Sequence, residues 1–244
     1  LVFALFLGPL VAMADELPTD PNTITSLTPE QARKLAAEFG GTHLFINGLT
    51  ALSPEAAKAI AEYKGHFLYL NGLTTLSPEA AKALVEFKGI GLGLNGLNTL
   101  DVDTAMALAD SKCMFLSLNG LNTLDVDTAK ALAGLKGKFL SLNGLTTLSP
   151  EAAKVLAEFK GQRIELNGLT TLSPQVAKAL AEYKGGLSLD GLTTLDADTA
   201  KLVVIANRHA HHLRFPISPP SIRPTPWRSP RFSPGSMRRC CSPT

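Results

Sequence analysis

The sequence predicts an α/β fold: a right-handed leucine-patterned solenoid of strand–helix repeats, about 24 residues long, with a parallel sheet on the concave side and helices on the convex side. Three observations predict it. Asn-Gly recurs at Asn47, Asn71, Asn95, Asn119, Asn143 and Asn167 at a constant spacing of 24, and Asp190-Gly191 closes the series 23 residues later. A short apolar–polar–apolar alternation precedes these dipeptides, as Leu140-Ser141-Leu142 does before Asn143. A helix-start signal follows, as Ser149-Pro150-Glu151 does at the head of an apolar stripe. A helix cannot close a hairpin, so consecutive strands lie parallel and each helix crosses over on the outside.

Composition narrows the class. The chain has 244 residues, 45% hydrophobic and 18% charged, which suffices for a sizeable core. No run of about 20 apolar residues occurs, which argues against a polytopic membrane protein. Three Cys are too few for a disulfide scaffold or a multi-Cys zinc module. The formal net charge of +2 conceals an asymmetry, because all 21 acidic residues precede residue 207, whereas residues 207–244 hold seven Arg and no acid.

Leu1–Ala14, LVFALFLGPLVAMA, reads as the apolar region and A-x-A cleavage site of a secretory signal peptide, with its basic n-region missing ahead of Leu1. Gly8-Pro9 argues against a buried helix there. Export (secreted, periplasmic or cell-surface) is therefore expected, with no membrane span once the signal is cleaved. A linker over 15–22 leads into a solenoid over 23–206, with strands centred on Phe45, Tyr69, Gly93, Ser117, Ser141, Glu165 and Ser188. Eight helices bracket them, from Thr28–Phe39 to Asp196–Ala206.

The unit Phe139–Lys160, FLSLNGLTTLSPEAAKVLAEFK, shows the logic of each element. Asn143-Gly144 would suit a two-residue hairpin, but no second alternating run follows, so the chain turns inward at that corner. Ser149 caps the helix, Pro150 fits its first position, and Glu151 complements the positive end of the dipole. Asp101, Asp125 and Asp196 replace the Ser cap in other repeats. Ala152, Val155, Leu156 and Phe159 share one helical face, and Glu151, Lys154 and Glu158 the other. Gly161 is expected to end the helix in a left-handed conformation. Cys113-Met114 replaces the usual Gly-Lys at the corner of the fourth repeat, where strain is expected.

The unit L-x-L-x-x-L-x-x-L-S/D, followed by a helix carrying Leu-Ala, resembles the leucine-rich repeat family, closest to its cysteine-containing subtype. Leu145 stands where that subtype places its Cys, and Leu148 and Ser149 fill the positions of its Ile and Thr. The unit is about two residues shorter and carries its Asn directly after the strand. The resemblance covers Ile24 to about Ala206. It implies an interaction scaffold whose ligand is read on the concave sheet, and it names no ligand.

Two columns of outward positions form the candidate binding face. One holds Phe45, Tyr69, Gly93, Ser117, Ser141, Glu165 and Ser188; the other, just before the strand, holds His43, Phe67, Gly91, Phe115, Phe139, Arg163 and Gly186. From these, Phe45, Tyr69, Phe67, Phe115, Ser117, Phe139, Ser141, Arg163 and Glu165 are the candidate residues, because aromatics on a rigid sheet anchor protein or sugar partners. The alternative for the Phe of the second column is satellite core beneath the preceding loop. Ser141 is expected to be free of structural duty. The Asn row and the Thr pairs such as Thr146-Thr147 read as structural, with the Asn amides stacked along the strand edge.

Other motifs carry less. Gly91-Leu92-Gly93-Leu94-Asn95-Gly96 matches G-x-G-x-x-G, yet it falls inside a strand instead of opening a helix, so no dinucleotide site is expected. His209, His211 and His212 lack a carboxylate or thiolate at ligand spacing, and Cys113, Cys240 and Cys241 read as free thiols. No activated nucleophile or acid–base pair can be named. Neither catalysis nor a cofactor or metal is expected.

Residues 207–244 read as a disordered basic tail rich in Pro, Arg and Ser. It could touch an anionic surface or nucleic acid, but its composition is also that of a shifted reading frame in a GC-rich coding sequence, and we prefer the latter. The expectation is a monomeric, non-enzymatic scaffold binding a protein or cell-surface ligand. The alternatives are a carbohydrate-adhesion module and a structural spacer. A nucleic-acid partner is not expected.

Overall fold

A computed structural model of the chain describes residues 17–194 and 199–202. Within them, seven three-residue strands alternate with helices: β1 His43–Phe45, β2 Phe67–Tyr69, β3 Gly91–Gly93, β4 Phe115–Ser117, β5 Phe139–Ser141, β6 Arg163–Glu165 and β7 Gly186–Ser188. The helices are α1 Pro29–Glu38, α2 Pro54–Ile60, α3 Pro78–Leu84, α4 Val102–Ala109, α5 Val126–Ala133, α6 Pro150–Leu156 and α7 Pro174–Leu180. Residues 199–202 are helical and belong to the eighth expected helix; its cap Asp196 lies outside the described residues.

All strands join one sheet in chain order, and every neighbouring pair is parallel. The register advances by whole repeats: Leu44 pairs with Leu68, Leu68 with Leu92, Leu92 with Leu116, and so on to Ile164 with Leu187. Strand–helix units stacked by repeat are the predicted solenoid. The signal segment 1–14, the tail 207–244, the His209–His212 tract and the Cys240-Cys241 pair lie outside the described residues.

The interior is built from columns of the same side chain. Leu142 and its counterparts Ile46, Leu70, Leu94, Leu118 and Leu166 are fully buried, as are Leu49, Leu73, Leu97 and Leu145. From the helices come Ala56, Ala80, Ala105, Ala129 and Ala152, each fully buried. Alanine there lets the helix backbone approach the sheet closely, so a short repeat still closes around a dry centre.

Each helix begins as its sequence predicts. Ser53, Ser77, Ser149 and Ser173 accept the N–H three residues on at 3.1–3.2 Å. Thr28 forms a reciprocal box with Gln31. Asp125 accepts the Thr128 N–H and hydroxyl at 2.8 and 2.7 Å, and the buried Thr128 hydroxyl lies 3.3 Å from the Leu100 carbonyl of the preceding repeat. The Asp cap thus also ties its helix to the neighbouring coil.

Two local expectations are corrected. The strands are centred one residue earlier than predicted, on the buried Leu44, Leu68, Leu92, Leu116, Leu140, Ile164 and Leu187. The helix of the model unit ends at Leu156, with Ala157 as a right-handed cap, so Gly161 terminates nothing. Neither Gly161 nor its counterparts Gly41, Gly65, Gly89, Gly137 and Gly185 take a left-handed φ. Gly161 is glycine because a Cβ there would overlap the Phe159 ring and the Lys138 carbonyl.

The fourth-repeat corner follows from the same packing. Rings at Phe39, Tyr63, Phe87, Phe159 and Tyr183 lie against the glycine two residues later. At this corner the ring is replaced by Ser111 and the glycine by Cys113, and both are fully buried. The thiol fills space that the missing ring leaves, at a position where a ring two residues earlier otherwise demands glycine. Burial pushes the Cys113 thiol up from its usual range.

The expected linker over 15–22 already holds structure. Pro21–Thr23 form a 3₁₀ turn capped by Asp20, and Asn22 accepts the Asn47 N–H at 3.2 Å.

Two stability tests follow from this packing. A Cβ on Gly120 would overlap the carbonyl oxygens of Asn95 and Leu97, whereas one on Gly40 meets nothing within 4 Å. Gly120→Ala should therefore cost about 1–3 kcal/mol in urea unfolding, and Gly40→Ala should stay within about 0.5 kcal/mol. The second test concerns acid. The Thr128 N–H and hydroxyl hold the Asp125 carboxyl below its usual range, so the cap's contribution is complete above about pH 4 and fades as pH falls through the lower folded value. Asp125→Ala should cost about 1 kcal/mol near neutrality, and the gap to wild type should close in acid. A gap unchanged by acidification would mean that the carboxylate does not act as the cap.

Candidate functional site

Alternation around each buried central leucine sends both outer strand residues to the sheet face opposite the helices. The second candidate column therefore lies inside the strands, at their first position. Phe45 and Phe115 are exposed, 40% and 38%; Phe67, Tyr69, Ser117, Phe139, Ser141, Arg163 and Glu165 are half-buried on the same face. All nine candidate residues thus share one surface.

Register turns the aromatics into two rows. Phe45 and Tyr69 pair across β1 and β2, with ring centroids 4.6 Å apart and planes 5° apart. In the other row His43 stacks on Phe67 at 4.8 Å and 9°, and Phe115 on Phe139 at 4.4 Å and 10°. His43 was placed in the column but not among the candidates; its position 24 residues before Phe67 was the available signal. Satellite packing beneath a loop is not what these phenylalanines do: they pack on each other across strands.

The glycines of β3 have a role in this arrangement. Phe67 reaches over Gly91 toward Phe115, with ring centroids 6.3 Å apart, and a Cβ on Gly91 would come within 2.6 Å of the Phe67 ring. Tyr69 covers Gly93 in the same way. Both glycines are buried, and partial burial also pushes the Tyr69 phenol up from its usual range. The G-x-G-x-x-G match is thus a floor for aromatic rings, and the next helix begins only at Val102.

In each stacked pair one face of either ring is covered by its partner. Aromatic edges carry the positive part of the ring quadrupole, so they meet carbonyl oxygens, carboxylates or the face of another ring. Sugar stacking needs a free ring face instead.

From β4 to β6 the last position of each strand is polar, while the first holds Phe115, Phe139 and then Arg163. Ser117 donates to Asn95 Oδ1 at 2.6 Å and accepts from Asn119 Nδ2 at 3.0 Å. Ser141 accepts from Asn143 Nδ2 at 2.9 Å and has Asn119 Oδ1 and Glu165 Oε2 as alternative acceptors, at 2.8 and 2.9 Å. One hydroxyl proton serves both acceptors. Ser141 is therefore not the free position expected from its outward direction; it links three repeats. Arg163 pairs in register with Phe139 and Gly186.

Beneath this face runs the Asn row, and it is structural as expected. Each Asn Oδ1 accepts the backbone N–H of its counterpart one coil later, from Asn47 onto Asn22 to Asp190 onto Asn167, at 2.8–3.2 Å. Stacking of amides is thus a relay from side chain to backbone, one bond per coil.

Among the described residues no group of three or more His, Cys, Asp or Glu is placed to hold a metal ion, and no helix is long and apolar enough to cross a membrane. No protein-family model matches the chain, and no curated protein matches it.

Proposed function

We propose that the chain is an exported, non-enzymatic scaffold of the leucine-rich repeat type, which binds a protein partner as a monomer through the open face of its sheet. The observation that carries this reading is the pair of stacked aromatic rows, whose exposed members Phe45 and Phe115 lie on a rigid floor of paired strands. Large apolar side chains displayed in register on a sheet are typical anchors for a partner, and a mere spacer has no use for them. The polar positions Ser117, Ser141, Arg163 and Glu165 supply directional contacts beside the apolar anchor.

The stacked pairs and the polar network beside them favour a protein over a sugar. A peptide offers carbonyl oxygens and aromatic faces to ring edges, whereas pairing leaves at most one face of each ring for a sugar to stack on. Export rests on the Leu1–Ala14 pattern, and the family assignment on the repeat motif.

A displayed random-peptide library selected against the full chain tests the reading. Enriched peptides should lose about tenfold or more in affinity on a Phe45→Ala/Phe115→Ala variant that keeps the wild-type melting profile. A glycan-array signal abolished by Tyr69→Ala would establish the carbohydrate reading instead, and selection without reproducible binders would favour the spacer.

A further inference from the structure

We propose that the asparagine ladder is a deamidation site gated by folding, and that Asn143 is the rung at which conversion to aspartate is incompatible with the stacked coils. Six Asn-Gly sequences occupy the ladder, at Asn47, Asn71, Asn95, Asn119, Asn143 and Asn167. Asn-Gly favours this chemistry because glycine has no Cβ to hinder its own nitrogen from approaching the preceding side chain. The Gly nitrogen, its proton lost to hydroxide, bonds to Asn Cγ; the Cγ–Nδ2 bond breaks, and Nδ2 leaves as ammonia with a proton from water. Water then opens the five-membered imide. One direction of opening yields Asp, and the other an isoaspartyl linkage whose main chain runs through Cγ and is one carbon longer. The balance is amide plus water to carboxylate plus ammonium.

The fold opposes ring closure from both sides. Asn119 Oδ1 accepts the Asn143 N–H at 2.8 Å, and this bond must break before Cγ can swing toward the Gly120 nitrogen. Gly120 itself lies flush against the Asn95 and Leu97 carbonyls, so it cannot move to meet Cγ. Every Asn-Gly rung repeats this arrangement. Unfolding removes both restraints at once.

The rungs differ in what a new carboxylate would meet. The chain already carries one at the last rung: Asp190 keeps the ladder N–H bond to Asn167, and Ser188 donates to Asp190 Oδ2 at 3.0 Å. At Asn119 the polarity is reversed, its Nδ2 donating to Ser117. Ser117 can turn its hydroxyl and serve an aspartate at 119 as Ser188 serves Asp190. Asn143 has no such escape. Its Nδ2 donates to Glu165 Oε2 at 3.2 Å as well as to Ser141, so an aspartate there would set two carboxylate oxygens against each other with one serine proton to share.

The full chain, held folded or in urea in mildly alkaline buffer, can be digested and each site read by mass spectrometry. All six sites should convert in urea, and Asn95, Asn119 and Asn143 about tenfold or more slowly in the folded protein. Equal folded and unfolded rates at Asn119 or Asn143 would overturn the gating. Thermal melts then test the rung assignment. Asn119→Asp should melt within about 2 °C of wild type, whereas Asn143→Asp should melt well below it or fail to fold. Asn143→Asp/Glu165→Gln should recover the midpoint of Glu165→Gln alone. Equal midpoints for the two single variants, or no recovery in the double, would overturn the assignment to Asn143.

Discussion

At the end of each strand the backbone turns inward, and the N–H at that corner has no partner within its own coil. A buried or half-buried N–H without an acceptor is costly, so the chain must supply one. It does so with the side chain of the asparagine one coil earlier, and the glycine beside each asparagine lets the coils meet backbone to backbone. Those two residues together set the pitch. Once every corner sits one strand spacing above the last, equivalent leucines fall into columns, and no coil needs to bury its apolar face alone.

The same constraint organises the open face. A fixed pitch places side chains of adjacent strands at stacking distance, so Phe45 finds Tyr69 and Phe115 finds Phe139 without any loop to arrange them. Serine in those positions finds the asparagine amides instead, which extends the ladder's polarity onto the surface. One lattice therefore carries two chemistries: aromatic rings at the first strand position as far as β5, and a hydrogen-bonded network at the last position from β4 on. Glycines occupy the outer positions of β3 because rings leaning across from β2 leave no space for a side chain.

Much of this was legible in the sequence, and the exceptions have physical causes. The strand–helix alternation, the Ser and Asp caps and the outward direction of all nine candidate residues follow from spacing. Strand centres slipped by one because apolar alternation continues through Leu142, while the paired segment stops at Ser141. Gly161 was read through helix-ending propensity, whereas its cause is the Phe159 ring, a contact that propensity does not encode. The Ser111–Cys113 exchange could have been found by noticing that ring and glycine vanish from the same repeat. Asn22 was missed because its repeat is one residue longer than the rest and lacks the glycine. Which way the rings turn, and so which partner they suit, depends on packing between strands and is not written in any single repeat.

Hydrogen exchange at the corner amides bears most directly on the ladder. If the asparagine relay fixes the pitch, the backbone N–H groups of Asn95, Asn119 and Asn143 should exchange only through cooperative opening, far more slowly than the exposed Thr75 and Thr147 and with protection that declines toward both ends of the solenoid. Corner amides that exchange as fast as those exposed threonines would contradict the account.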